Sequence, residues 1–118
     1  MIEIDATKQL IDALLANSSV QRYAQDRVYP VVARQDTIIP YIVCSTEQVT
    51  VRRSKRGCVD GYTYGSEIVL VTANYKRMIQ LASAVIEALP DGAELTNYSE
   101  DFVDPDKYVC VINVNIDK

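Results

Sequence analysis

The chain has 118 residues, which fits a single domain over residues 1–118, since typical domains contain roughly 150 residues. Its net charge of −4 excludes a histone-like role, because the chain as a whole repels a phosphate backbone. The absence of histidine excludes Ser-His-Asp and Cys-His catalysis and zinc sites with imidazole ligands, and 48% hydrophobic residues exclude a disordered chain.

The first predicted element is an amphipathic helix over residues 5–16, with Asp5 as its N-cap. Its apolar face contains Leu10, Ile11, Leu14 and Leu15. One further helical turn, capped by Ser19, is expected before the pattern changes at Arg27.

Strand patterns follow from Val28 onward. The segment Val28–Pro30 is short and ends in proline, which suits the edge of a sheet. The denser run Ile38–Thr46 contains Pro40 near its start, and proline removes one ladder donor. We therefore expect that end of the strand to be an edge or a bulge. After the basic residues 52–56 and a turn over Gly57–Gly61, the pattern of a returning strand begins.

The returning strand is predicted over Tyr62–Ala73. Its later half, residues 68–71, is apolar on both faces, which predicts a central position beneath a helix. Asn74 is then the expected N-cap of a helix over Tyr75–Leu89. A final hairpin pairs a more polar strand, Leu95–Val103, with Tyr108–Ile116.

These elements predict an α+β fold, with two helices packed on one face of a mainly antiparallel sheet, in the order α-β-β-β-α-β-β. The predicted core joins residues of both helices to alternate residues of the last strand: Leu10, Leu14, Met78, Ala82, Val85, Cys110, Ile112 and Val114. Among the cysteines, Cys44 and Cys110 lie in apolar runs and are expected to be buried, whereas Cys58 is expected to be exposed.

One motif stands out by charge: Arg52, Arg53, Lys55 and Arg56 place four cations within five residues. The run is compatible with a solvated hairpin tip. This interpretation is the favoured one, and the alternatives are a positive collar facing DNA in the lumen of a ring, or pairing to acidic residues of a neighbouring subunit.

Two further groups have ordinary structural interpretations. Asp101, Asp104 and Asp106 lack the regular ligand spacing and glycine of a calcium loop, so turn formation is favoured over a metal site. Tyr62 and Tyr64 share one strand face, where cross-strand packing is favoured over base stacking. We predict no catalytic residue, no cofactor and no metal.

The order of landmarks along the chain resembles a known family. It comprises Arg27-Val28-Tyr29-Pro30, Ala33-Arg34-Gln35, Ile39-Pro40-Tyr41-Ile42-Val43, and the run from Ile68 through Asn74-Tyr75 to Leu89. This succession is similar to that of the tail-completion, or tail-terminator, proteins of long-tailed bacteriophages and prophages. The similarity extends from about Ile4 to Leu89 and is most specific in the Val-Tyr-Pro, Gln, Pro-Tyr-Ile succession. The basic run at residues 52–56 is not part of it.

The resemblance implies a structural virion protein that caps the finished tail tube as a ring, hexameric in relatives, and offers a surface for head-tail joining. The implied partners are copies of the chain, the tail-tube protein and the head-connector protein, with possible non-specific contact with DNA in the lumen and no membrane. The implied locations are the host bacterial cytoplasm during assembly and the virion tail. Candidate subunit-edge residues are Tyr29, Pro30 and Pro40, since edge strands can pair with a neighbour.

Two other functions stay open from the sequence. A small nucleic-acid-binding regulator would act through the basic residues 52–56 and bind in a salt-sensitive way. A small-molecule enzyme or sensor would need a pocket with convergent carboxylates, and the sequence offers only scattered Asp and Glu residues.

Overall fold

A computed structural model describes residues 5–33, 37–104 and 107–117. The three helices are α1 (Ala6–Ala16), α2 (Ser18–Ala24) and α3 (Tyr75–Ala88). The five strands are β1 (Val28–Pro30), β2 (Tyr41–Arg53), β3 (Val59–Thr72), β4 (Ala93–Asp104) and β5 (Lys107–Asp117).

The strands form one sheet in the order β1-β2-β3-β5-β4. β1 runs parallel to β2, and the other three pairs are antiparallel. The α+β class and the mainly antiparallel sheet are confirmed. The predicted element order is wrong in one place, because the further turn is a separate helix, α2, and the order is α-α-β-β-β-α-β-β.

Side-chain caps explain where two of the helices begin. Asn17 Oδ1 accepts hydrogen bonds from the backbone N–H groups of Ser19 and Val20, at 2.9 and 3.1 Å, so Asn17 caps α2 and the predicted cap Ser19 lies inside the helix. Asn74 Oδ1 accepts from Arg77 N at 2.8 Å, which confirms the predicted cap of α3. Asp5 precedes α1 as predicted but makes no side-chain capping hydrogen bond.

The core lies between the helices and one face of the sheet. In register, Cys44 of β2 is opposite Ile68 of β3, which is opposite Ile112 of β5, and all three side chains are fully buried. Every member of the predicted core is buried. β3 lies third of five strands, so the predicted central position is confirmed.

The start of β2 differs from the prediction. The strand begins at Tyr41 and not at Ile38. Pro40 therefore lies outside β2, and its missing N–H group removes no hydrogen bond between strands. β2 is an internal strand between β1 and β3, and its bulge is at Glu47, where the register shifts. The expectation of an edge or a bulge at Pro40 is therefore wrong, whereas the edge position expected for residues 28–30 is confirmed.

Candidate assembly surfaces

The hairpin of β2 and β3 extends beyond the rest of the sheet. The last row that includes β5 pairs Thr63 with Asp117, and Thr63 Oγ1 donates a hydrogen bond to Asp117 Oδ1 at 2.7 Å. Beyond this row, β2 and β3 pair only with each other among the described residues. We call residues 51–62 the hairpin ribbon. The molecule is 54 Å long and 26 Å wide. The ribbon continues the β2–β3 pair beyond the end of β5.

The four cations of the basic run lie in the ribbon and its turn. Arg53, Lys55 and Arg56 are exposed, and Arg52 is half-buried. Arg52 Nη1 lies 3.8 Å from Asp117 Oδ1, a distance at which an ion pair in solvent contributes little to stability. The exposure expected of this loop is thus confirmed for three residues of the four.

Backbone hydrogen bonds close the turn that carries these cations. Ser54 N donates to Cys58 O at 2.8 Å, and Gly57 N donates to Ser54 O at 2.9 Å. Gly57 has a φ of +81°, which a residue with a Cβ rarely adopts. Arg53 Nη1 donates to the Gly57 carbonyl at 3.2 Å, so one cation of the run also binds the turn.

The β1 edge carries two of the three candidate subunit-edge residues, Tyr29 and Pro30. The Tyr29 ring packs edge-on against Tyr41, with ring centres 6.5 Å apart. Pro40 lies elsewhere, at the opposite end of β1 from Pro30. There its carbonyl accepts from Arg27 Nε at 2.8 Å, and it lines a depression of about 320 Å³.

Two apolar side chains directly after β1 are exposed to solvent. We call them the β1-edge patch: Val31 and Val32, which are 72% and 73% exposed. Val31 has a φ of +64°, and a β-branched residue in this left-handed region is strained. Its backbone N–H nevertheless donates to Cys44 O at 2.8 Å, which holds the chain against β2.

The opposite edge of the sheet, β4, carries a second apolar group. We call it the β4-edge patch: Tyr75 of α3 with Leu95, Tyr98 and Phe102 of β4, all exposed. Tyr108 of β5 links two of them, because its ring centre lies 5.2 Å from that of Phe102 and 6.5 Å from that of Tyr75, both edge-to-face. Sequence reasoning missed the β4-edge patch, because its members belong to two elements, α3 and β4, that only the fold brings together.

A pair of carboxyl groups lies on the face of the sheet opposite the helices. The bulge in β2 brings Glu47 beside Glu67 of β3. A hydrogen bond between the two carboxyl groups, partial burial and mutual repulsion raise the pKa of Glu67 to about 7. Glu67 therefore titrates near neutral pH.

The remaining candidates have structural roles. Tyr64 is fully buried and Tyr62 packs against the core, so the prediction of ordinary packing is confirmed for both. Cys44 and Cys110 are buried and Cys58 is exposed, as predicted, and burial raises the pKa of the Cys44 thiol to about 12, which makes it unreactive.

No metal-ligand cluster emerges in the part of the chain that the structure describes. No group of three or more Cys, Asp or Glu side chains there converges as metal ligands would. Asp106 and the side chain of Asp104 lie outside the described residues, so the predicted turn between β4 and β5 is not described. No described helix combines the length and the apolar character needed to cross a membrane.

Comparison with known proteins gives a full-length structural similarity. No protein-family model and no curated protein sequence matches the chain. A chain in the virion of a native gene transfer agent particle superposes with a TM-score of 0.79 at 17% identity, covering 99% of this chain and 98% of that one. The type 4 fimbrial biogenesis protein PilO from Pseudomonas aeruginosa superposes over 64% of this chain and 56% of its own, at 16% identity and a TM-score of 0.38. At such low identity the first similarity establishes a shared fold, and the second carries no argument.

Proposed function

We propose that the chain is a structural virion protein that caps the completed phage tail tube as a ring. In this role it ends tube polymerisation and forms the surface for head-tail joining. The observation that carries the proposal is the similarity of the whole chain to a chain of a virion particle, with 99% and 98% of the two chains superposed. The succession of landmarks from residue 27 to 89, typical of tail-completion proteins, is independent support.

The exposed surfaces fit a subunit of an assembly. β1 and β4 have unpaired edges among the described strands, and each carries an apolar patch. Unpaired edges and clustered apolar side chains are typical of surfaces that bind another chain. Such a role requires no catalysis, and we propose that the protein is not an enzyme.

The hairpin ribbon supplies the second part of the proposal. A ring would bring copies of Arg53, Lys55 and Arg56 together, and a closely spaced set of cations produces a positive field even around a net-acidic subunit. The proposed partners of this collar are DNA in the lumen or acidic side chains of the tail tube or of a neighbouring subunit. The head-connector protein would bind the opposite side of the ring from the tube.

Native mass measurement and electron microscopy test this function. The protein is concentrated, or mixed with purified tail tubes of the same phage or prophage. We expect closed rings in the concentrated sample or a ring at one end of each tube. A monomer in dilute solution is compatible with the proposal. A protein that neither forms rings when concentrated nor binds the tubes would contradict it.

A nucleic-acid-binding regulator is the second candidate, favoured by the exposed cations of the ribbon. It predicts a complex of a monomer or dimer with DNA that weakens steeply as salt is raised. The structural role predicts ring formation without nucleic acid. The genes beside the coding sequence also separate the two, since tail-tube and head-connector genes would accompany a tail protein.

A further inference from the structure

The β4-edge patch joins Tyr75, at the start of α3, to the helix-facing side of β4, which the described helices leave exposed. Leu95, Tyr98 and Phe102 are paired with Val114, Ile112 and Tyr108 of β5. Val114 and Ile112 are buried beneath the helices, whereas their partners on β4 are exposed. The sheet is thus one strand wider than the layer of helices, and β4 leaves apolar surface without a cover.

The β1 edge also exposes apolar side chains, those of the β1-edge patch. Beside this patch, Pro30 and Val31 form with Ile11 of α1 a shallow depression of about 430 Å³. Val31 has a φ of +64°, and its side chain is 72% exposed. Strain of this kind persists where a function requires the conformation.

Charge distinguishes the two edges as well. β4 contains four carboxylate residues and no lysine or arginine. Lys8 of α1 is exposed and lines the depression at the β1 edge. The β4 edge therefore combines acidic charge with an apolar surface, and the β1 edge combines a lysine with exposed apolar side chains. The two edges are complementary in charge, and both offer apolar surface for burial.

We infer that the β4-edge patch of one copy binds the β1-edge patch of the next copy. This inference rests on the proposed ring and names its subunit interface. The two patches lie on opposite edges of the sheet and differ in composition, so the contact is head-to-tail and each copy has one free surface of each kind. The neighbour's Val31 and Val32 cover Phe102 and Tyr75, and its Lys8 faces Glu100. Such a contact closes into a ring when the rotation between copies permits.

Cross-linking between cysteines placed on the two edges tests the inference. In a Cys58→Ser background, one variant carries Val32→Cys and another carries Glu100→Cys, both at exposed positions. A short bis-maleimide is added to each variant alone, to their mixture and to the double variant. We expect cross-linked heterodimers in the mixture and only monomers from each single variant. The double variant should give a series of cross-linked oligomers, the largest of which has the number of subunits in the ring. Ser83→Cys, on the exposed side of α3, replaces Glu100→Cys as the matched control and should give no heterodimer.

Light scattering of the same samples separates the two levels of the proposal. If rings are present and no heterodimer forms, the edge-to-edge contact is wrong and the ring stands. Dimers from Val32→Cys alone would mean a symmetric contact and would also overturn the inference. If no assembly forms at any concentration, and none forms on purified tail tubes, both the contact and the ring are wrong.

A second pair of variants tests the contact without cross-linking. Val32→Glu places a charge in the β1-edge patch opposite an acidic strand, and we expect the concentration needed for assembly to rise by about tenfold or more. Ser83→Glu should leave that concentration unchanged. Circular dichroism confirms that both variants fold. Equal assembly of the two variants would overturn the inference.

Discussion

The two halves of the β2–β3 hairpin differ sharply although they belong to one continuous pair of strands. In the inner half, Ile42 and Leu70 pair across the strands and are fully buried beneath the helices. In the hairpin ribbon, Val51 and Val59 are largely exposed, and the turn between the strands is cationic. The inner half therefore contributes to folding, whereas the ribbon is available for contacts with other molecules.

This difference shows that two strands can stay paired where their side chains are not buried. Backbone hydrogen bonds continue along the hairpin to Arg53, while burial ends several residues earlier. A side chain in the inner half should therefore affect the free energy of unfolding far more than one in the ribbon.

The largest effect is expected in the core that the inner half contacts. Ile112→Ala should lower the free energy of unfolding by about 2 to 5 kcal/mol, because it leaves a cavity beside Ile68, and Leu14→Ala should act similarly. Urea denaturation measures the loss. Val111→Ala, on the less buried face of β5, is the control and should cost less. A loss near zero for Ile112→Ala would mean that the core is misassigned.

The cap of α3 should contribute less. Asn74→Ala removes the acceptor of Arg77 N, and we expect a loss of about 1 kcal/mol in the free energy of unfolding. Asn74→Asp retains an acceptor and should recover most of the loss. Thermal unfolding of the three proteins checks this order, and equal stability of Asn74→Ala and the parent would contradict it.

The carboxyl pair at Glu47 and Glu67 should make stability depend on pH. Because the folded protein raises the pKa of Glu67 from 4.5 to about 7, its contribution is fully present below pH 4.5 and is lost as pH rises through about 7. Glu67→Gln should remove this loss. Between pH 5 and 8, we expect the variant to gain about 1 kcal/mol relative to the parent, a value reduced for screening by solvent.

Chemical denaturation at several pH values measures this difference. Glu47→Gln should have a similar effect, since Glu47 is the main cause of the shift. Glu87→Gln, on the exposed side of α3, is the control. A parallel pH dependence of Glu67→Gln and the parent would show that the carboxyl groups do not interact.

The smallest effect on stability is expected in the ribbon. Replacing Arg52, Arg53, Lys55 and Arg56 by Ser should change the free energy of unfolding by less than about 0.5 kcal/mol. Assembly or infectivity should fall instead. If the quadruple variant completes infectious tails as well as the parent, the run is a solvated turn. If the variant fails to fold, the ribbon is structural and the contrast with the inner half is wrong.

Local signals in the sequence predicted much of the fold. Asn74 and the apolar stripe that includes Met78 and Val85 specify α3 within a few residues, because capping and helical periodicity act over short distances. Alternation along β5 likewise predicted which residues are buried. The start of α2 was missed by two positions, since Asn17 and Ser19 are both competent caps.

Pairing between distant segments could not be predicted in the same way. The parallel pairing of Tyr29 with Val43 and the position of β4 at the far edge depend on the whole topology. An aromatic residue in a strand is normally expected to pack. Phe102 is exposed instead, because β4 lies at the edge of the sheet. Candidate contact surfaces made by several elements therefore emerged only from the structure.

The growth of tail tubes in the presence of the protein tests the central claim most directly. Purified tube protein is polymerised with increasing amounts of the chain, and tube lengths are measured by electron microscopy. We expect elongation to stop when rings are far fewer than tube subunits, with a ring at the end of each arrested tube. Tubes that grow to the same lengths with and without the protein, and carry no ring, would contradict the proposed function.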